Sequence, residues 1–108
     1  VFTGKVYEIV EDMPTFPGGV TELMNYLSKN THYPAATKRD GIQGRVVVSF
    51  IVEPDGSVSN AKLVRSVDPC IDQEALRVVR QMPKWKPGKQ DGSTARVKFH
   101  LPIKFMLE

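Results

Sequence analysis

Residues 43–65 read QGRVVVSFIVEPDGSVSNAKLVR, and their pattern predicts a β-hairpin. Residues 43–53 are rich in β-branched side chains, and the alternate residues from Val46 to Val52 place apolar groups on one face of a strand. Pro54 and Gly56 then supply the fixed φ and the positive φ that a tight turn requires. Residues 57–65 return as the second strand of the hairpin.

A third strand is predicted at the end of the chain, where apolar and polar residues alternate. From 95 to 107 every second residue is apolar, and most of the residues between them are basic. This period of two predicts a strand with one buried face and one exposed face. Pro102 has no N–H to donate to a ladder. The strand is therefore predicted either to lie at the edge of the sheet or to carry a bulge at Pro102.

Two amphipathic helices are predicted from apolar residues at helical spacing. One apolar stripe covers residues 20–27, directly after the breaker residues 13–19. The other runs over 71–82, with Asp72 as the expected N-cap and Pro83 as the stop.

Shorter elements are predicted from local signals. Residues 5–11 (KVYEIVE) favour a strand, and residues 34–40 favour a short helix that ends before Gly41. Residues 83–92 are expected to form a loop. Within it, Trp85 is expected either to cap the core or to belong to a partner surface.

These elements together predict one α+β domain of 108 residues. It consists of a small antiparallel three-stranded sheet with two helices packed on one face, plus an N-terminal helical extension. The extension comprises residues 1–32, with a strand, the FPGG turn at 16–19 and an amphipathic helix. Residues 33–108 form the remainder of the single folded domain.

Composition places the chain among ordinary globular domains. It is 41% hydrophobic and 25% charged, with a mean hydropathy of -0.26. No apolar run approaches the roughly 18 residues of a membrane-spanning helix. No signal peptide is recognisable, and we expect a fragment excised from a longer protein because the chain begins without Met.

Charge is unevenly distributed along the chain. The formal net charge is +3, with 5 basic and 7 acidic groups in residues 1–56 and 10 basic and 5 acidic groups in residues 57–108. This imbalance indicates either a solvated basic surface or an anionic partner. The single cysteine, Cys70, forms neither an internal disulfide nor a zinc site alone.

Signals for catalysis are absent from the sequence. Neither His32 nor His100 has a carboxylate or cysteine at metal-ligand spacing, and Gly18-Gly19 lacks the lysine of a P-loop. We therefore predict a protein that is not an enzyme and that has no metal and no cofactor.

Two binding functions remain from the residues alone. A basic face on the last strand (Arg96, Lys98, His100 and Lys104) would track nucleic-acid phosphates. However, its aromatic residues fall on the apolar side, where they cannot stack bases. Alternatively, an open edge strand accepts an extended peptide by strand addition.

Several motifs in a fixed order resemble the TonB C-terminal domain family. They are Tyr33-Pro34-x-Ala36, GRVVVSF at 44–50, PDGSV at 54–58, EAL at 74–76 and WKPGK at 85–89. The resemblance covers residues 33–107. It implies the periplasmic domain of an inner-membrane-anchored energy transducer, whose anchor works with ExbB and ExbD. The domain would bind the TonB box of outer-membrane transporters and couple the proton-motive force to nutrient uptake.

The resemblance also implies where that segment binds. Strand addition would occur along the final strand, and the loop before Tyr33 would lie nearby. The implied partner-binding residues are Val97, Lys98, Phe99, His100, Leu101, Pro102, Ile103, Lys104, Phe105, Asn30, Thr31 and His32.

Departures from the family pattern leave alternatives open. Asn30 stands where the family has glutamine. The missing N–H of Pro102 either faces the hairpin or is skipped by the peptide register. The N-terminal helix is a candidate cover for a sheet edge. The same domain type also occurs as the tail of membrane-bound sensor proteins, and an exposed edge strand allows a domain-swapped homodimer.

Overall fold

The computed structural model describes residues 5–106 and contains three helices and five strands within that range. In chain order these are β1 (Val6–Tyr7), α1 (Val20–Asn30), α2 (Ala35–Arg39), β2 (Gly44–Val52), β3 (Val58–Arg65), α3 (Pro69–Arg80), β4 (Gly88–Gln90) and β5 (Ser93–Phe105).

The sheet has the order β1-β5-β2-β3, and its centre is the predicted antiparallel trio. β2 pairs with β5 from Gly44 opposite Phe105 to Val52 opposite Val97 without a register shift, so β5 has no bulge at Pro102. β1 adds a short parallel pairing with β5, and β4 forms a hairpin with its start. The predicted fold class is thus confirmed, with two short strands added to the sheet.

The β2–β3 turn forms as its sequence predicts. Gly56 donates its N–H to the Glu53 carbonyl over 2.8 Å and has a φ of 88°. The Asp55 carboxylate accepts the N–H of Ser57 at 2.9 Å. These bonds close the turn, and the pairing of β2 with β3 beyond it shifts register twice, between Val47 and Val48 and between Ser49 and Ile51.

The main hydrophobic core of the described residues lies between the sheet and the helices, and a smaller second cluster contains Val10, Ala95 and Val97. The alternate apolar residues of β2 and β5 pack against α1 and α3, so both helices lie on the same face as predicted. Trp85 is only 4% exposed and contacts three aromatic rings, those of Phe16, Phe50 and Phe99. The core interpretation of this tryptophan is therefore confirmed.

The first helix extends to Asn30, three residues beyond its predicted apolar stripe, and buries less of that stripe. Leu23 and Leu27 are buried, whereas Val20 and Met24 are 72% and 50% exposed. The cause is the orientation of the helix. Leu23 and Leu27 face the core, Tyr26 donates its hydroxyl to the Val78 carbonyl of α3 at 2.8 Å, and the side with Val20 and Met24 faces away from the core.

The predicted N-cap of the second long helix is wrong. Asp68 is the N-cap, accepting the N–H of Cys70 at 3.0 Å, and Pro69 occupies the first turn. Asp72 is instead buried inside the helix. Its carboxylate accepts the Ser66 hydroxyl and the Val67 N–H at 2.6 and 3.0 Å, tying the end of β3 to α3.

Two predictions about short segments also need correction. The strand expected over 5–11 is limited to Val6–Tyr7, because the chain bends after Tyr7 and buries Val10 in the smaller cluster beside Val97. The loop expected over 83–92 contains β4, whose hairpin partner is the beginning of β5. Neither two-residue nor three-residue strands leave a periodic pattern that a sequence reveals.

Candidate functional site

One of the two edges of β5, the edge that does not face β2, is unpaired over most of its length. β2 occupies one edge along residues 97–105. On the other edge β1 pairs only with Arg96 and Val97. No strand within residues 5–106 pairs with 98–105 on that side, so these residues form an open edge (hereafter the open edge).

The open edge presents a defined set of backbone groups. The Glu53 N–H bonds the Ser57 carbonyl at 2.8 Å, so odd-numbered residues of β2 face β3 and even-numbered ones face β5. Because the β2–β5 register is unbroken, odd-numbered residues of β5 bond to β2. Even-numbered residues therefore turn their backbone N–H and C=O groups outward. These residues are Lys98, His100, Pro102 and Lys104.

Pro102 consequently lies where it breaks no ladder bond. The missing donor faces the open edge and not the hairpin, which excludes the first of the two alternatives left open by the sequence. Three N–H donors remain there, on Lys98, His100 and Lys104, and Pro102 contributes its carbonyl alone. An added strand has to leave one of its acceptors unpaired opposite Pro102.

Side chains along β5 follow the predicted alternation. Val97, Leu101, Ile103 and Phe105 are buried on the helix face, while Phe99 is half-buried against Trp85. Lys98, His100, Pro102 and Lys104 are exposed on the opposite face. Arg96 departs from the predicted free basic face, because its guanidinium is bound to the Glu53 carboxylate at 2.8 Å.

Of the loop residues predicted to bind the partner, only Thr31 lies against the end of β5. The Asn30 carbonyl accepts from the Arg77 guanidinium at 2.7 Å, and the His32 N–H donates to Glu74 at 2.6 Å. Both residues therefore make contacts with α3 rather than with the open edge. Thr31 lines the same cavity as residues 102–105, and neither Asn30 nor His32 lines it.

A groove of about 600 Å³ runs between α1 and the end of β5 (hereafter the α1–β5 groove). Met24, Leu27, Ser28 and Thr31 form its helical wall, and Ile103 and Phe105 lie along its sheet side. The predicted site did not include six of the residues that line the groove, which are Met24, Leu27, Ser28, Tyr33, Arg45 and Met106. The sequence did contain a signal for Met24. It belongs to the apolar stripe of α1, of which only Leu23 and Leu27 are buried in the core.

Two ion pairs, Arg96–Glu53 and Arg77–Glu74, lie near the site. They predict that the stability of the fold depends on pH. Hydrogen bonds from Arg96 lower the pKa of Glu53, and those from Arg77 lower the pKa of Glu74. A carboxyl with a depressed folded-state pKa stabilises the fold above its unfolded pKa of about 4.3, and this contribution is lost as pH falls through the folded value.

We therefore expect the free energy of unfolding, measured with urea, to decline below about pH 4. The Glu53→Gln, Glu74→Gln double variant should show a shallower decline than the wild type. Glu22→Gln, at an exposed carboxylate of α1, is the control. Identical pH profiles for the double variant and the wild type would contradict this assignment.

Residues 5–106 contain no cluster of His, Cys, Asp or Glu suited to hold a metal ion. In the same range, no helix is long and apolar enough to cross a membrane. The geometry is instead that of a strand edge beside a groove, with exposed basic side chains on the opposite face.

Comparison with known families agrees with this architecture. The family described as Gram-negative bacterial TonB protein C-terminal matches residues 29–107. The chain belongs to the TonB C-terminal family. TonB proteins are energy transducers for transport and are not enzymes, which confirms the absence of catalytic function inferred from the sequence.

Curated relatives support the assignment. Protein TonB of Vibrio cholerae is 31% identical over 77 residues, which cover 70% of this chain and 31% of that protein. Protein TonB of Helicobacter pylori is 27% identical over 88 residues, covering 81% of this chain and 30% of that protein. The chain thus spans about a third of the length of the TonB proteins it matches.

Solved structures show the same fold. The solution structure of the Helicobacter pylori TonB C-terminal domain superimposes with a TM-score of 0.64 at 26% identity, covering 82% of this chain and 94% of that one. The Pseudomonas aeruginosa domain, at 22% identity and a TM-score of 0.52, covers 72% of this chain and 81% of that one; it shows the fold alone.

Proposed function

We propose that this TonB C-terminal domain binds the TonB box of outer-membrane transporters by strand addition along the open edge. The domain would act in the periplasm, as part of a protein anchored in the inner membrane and working there with ExbB and ExbD. It would transmit the energy of the proton-motive force to nutrient uptake. A TonB-like tail of a membrane sensor is the alternative parent protein.

The observation that carries the proposal is the row of outward-facing backbone groups at residues 98–104. An extended peptide that pairs there gains main-chain hydrogen bonds without disturbing the ladder to β2. Residues 98–105, which belong to the predicted partner-binding residues 97–105, supply this edge, and Thr31 lies at its end. Asn30 and His32 support the loop through their contacts with α3 and act, in this proposal, at a distance from the peptide.

The fold is suited to carry a pulling force through this strand. β5 is the longest strand, and nine consecutive residue pairs join it to β2. A force on the bound segment would act on its backbone hydrogen bonds to β5. The other edge of β5 is paired with β2 along residues 97–105. Force on the peptide would therefore be distributed over the β2–β5 ladder and the core beneath it.

The first test is a backbone amide NMR titration of the domain with a short peptide carrying a TonB box. We expect chemical-shift changes along 98–105 and slower amide exchange of Lys98, His100 and Lys104. These N–H groups face solvent in the free domain and would be bonded in the complex. Perturbations confined to other elements, or none at millimolar peptide, would contradict strand addition.

Two further outcomes separate this function from its competitors. A domain-swapped homodimer would use the same edge, and sedimentation of the free domain detects it. Nucleic-acid binding through Lys98, His100 and Lys104 would appear as a gel shift that weakens steeply with salt. Neither outcome would produce the peptide-dependent protection of the open edge.

A further inference from the structure

We propose that the face of the sheet opposite the helices (hereafter the outer face) binds the surface of a membrane that contains anionic phospholipids. This inference goes beyond the proposed function, because it concerns side chains on one face of the sheet and not the backbone groups of the open edge. Its carrying observation is a set of five exposed cations that the strands gather on this face. They are Arg45, Lys62, Arg65, Lys98 and Lys104.

The register of β2 with its two neighbours places these cations together. Residues directly opposite one another on neighbouring strands point their side chains to the same face. The odd-numbered residues of β2 therefore form rows across the outer face with the residues opposite them. The rows are Arg45 with Lys104, Val47 with Arg65 and Pro102, Ser49 with Lys62 and His100, and Ile51 with Ser59 and Lys98. Four rows on three strands cover an area of about 20 by 10 Å.

The five cations are not neutralised by the protein itself. No carboxylate of residues 5–106 forms an ion pair with any of them. The acidic side chain at the end of the outer face, Glu53, is bound to Arg96 at 2.8 Å. The positive charge on this face thus exceeds the formal net charge of the whole chain, which is +3. A surface of one sign attracts an extended surface of the opposite sign.

The middle of the outer face is covered by the side chains around it. Ser49 and Ile51 point to this face, yet they are only 4% and 8% exposed. Lysines at 62 and 98 stand opposite them, and a lysine lays its aliphatic stem along the surface while its ammonium group stays in water. The outer face therefore meets a partner with charged groups and does not open an apolar core toward it.

One apolar side chain among the cations favours lipid over nucleic acid. Met106 is 61% exposed and lines a depression of about 330 Å³ together with Arg45, Arg65 and Lys104. An apolar side chain beside cations is suited to the boundary between headgroups and acyl chains. The aromatic rings of β2 and β5 instead pack against Trp85 on the helix face, where they cannot stack on bases.

Docking by the outer face is compatible with the open edge. Side chains stand perpendicular to a sheet, whereas the backbone groups of an edge strand point outward in its plane. A domain that rests on a membrane with its outer face therefore keeps the open edge accessible to a segment close to the same surface.

The expected strength follows from the number of cations. Each lysine or arginine close to an anionic membrane strengthens binding about fivefold, so five of them give on the order of a thousandfold over a neutral membrane. This attraction is screened by salt, because the Debye length is only about 10 Å at 0.1 M.

The test measures co-sedimentation of the 108-residue chain with vesicles. One set of vesicles is phosphatidylcholine alone, and the other contains phosphatidylcholine and phosphatidylglycerol in equal parts. We expect binding to the second set and little binding to the first. The affinity for the anionic vesicles should fall steeply between about 50 and 200 mM salt.

Two double variants with the same change of charge separate the outer face from the net charge. Lys62→Gln with Arg65→Gln should weaken binding to the anionic vesicles about thirtyfold, since two cations of the face are lost. Lys29→Gln with Arg80→Gln, at exposed positions of α1 and α3 on the other side of the sheet, should have little effect. All four side chains are exposed and form no ion pair within residues 5–106, so the fold tolerates the changes.

Three results would overturn the inference. The first is no binding to the anionic vesicles at low salt, and the second is an equal loss in the two double variants, which would mean that net charge alone accounts for binding. The third is tighter binding to a mixed-sequence RNA oligomer than to the vesicles at the same salt. Peptide titration of the Lys62→Gln, Arg65→Gln variant keeps the proposed function separate, because its open edge is intact and should still be protected by a TonB box peptide.

Discussion

Replacement of Gly56 by alanine is expected to destabilise the domain by about 4 kcal/mol, a large part of the total stability of about 5–15 kcal/mol that an ordinary domain has. Gly56 has a φ of 88°, which costs an alanine about 1–2 kcal/mol. A Cβ placed there would also lie 2.1 Å from the carbonyl oxygen of Trp85. Because that neighbour is backbone, it cannot rotate away, and the turn has to separate from the Trp85 loop.

Gly92→Ala is the matched control for this prediction. Its φ of 79° gives a similar backbone penalty, but nothing lies within 4 Å of the added Cβ. We expect a loss of about 1 kcal/mol for Gly92→Ala, measured by urea denaturation of both variants at the same pH. Equal losses at the two positions would show that backbone strain, and not the contact with Trp85, accounts for the effect at Gly56.

The contact matters for the site because Trp85 links the hairpin turn to β5. The backbone N–H of Trp85 donates to the Gly56 carbonyl at 2.8 Å, and the indole ring packs against Phe50 and Phe99 at centroid distances of 5.5 and 5.2 Å. Phe99 lies within the open edge. The turn that the sequence marks with Pro54 and Gly56 thus also supports the strand proposed to bind the partner.

Most of the fold could be predicted because its main elements are long and periodic. The alternation in β2 and β5 identified the buried face, and the register confirms it, with Val48 opposite Leu101 and Phe50 opposite Phe99. What failed was local. The N-cap of α3 is Asp68, because the helix starts earlier in the chain, at Pro69. Asp72 is buried and accepts hydrogen bonds from Ser66 and Val67, a role that no spacing rule predicts.

The candidate site was predictable in part for the same reason. Pro102 in an alternating strand indicated an edge, and the structure has an open edge there. The direction of its missing N–H depends on the register of the neighbouring hairpin, which the sequence of β5 does not contain. The α1–β5 groove depends on how α1 is rotated, and the contacts that α1 makes with the rest of the fold, among them the bond from Tyr26 to Val78, are long-range and leave no pattern in the sequence of the helix.

His100→Pro is expected to reduce affinity for a TonB box peptide by at least about tenfold, since it removes a second donor beside Pro102 and leaves a peptide acceptor unpaired. His100 is an even-numbered residue of β5, like Pro102, so its backbone N–H faces the open edge. Removing that N–H therefore breaks no hydrogen bond to β2. Phe99, which then precedes a proline, already has the extended conformation that this position favours.

The control is His100→Ala, which removes the imidazole and keeps the donor. If the backbone group matters, alanine should bind the peptide like the wild type while proline does not, with both variants folded by circular dichroism. Equal affinity for the proline and alanine variants would place the peptide elsewhere.

Amide exchange in the wild type gives an independent test: the His100 N–H should exchange rapidly in the free domain and slowly when the peptide is bound. Slow exchange in the free domain would mean that the His100 N–H already bonds to β2. The even-numbered residues of β5 would then not turn their backbone groups to the open edge.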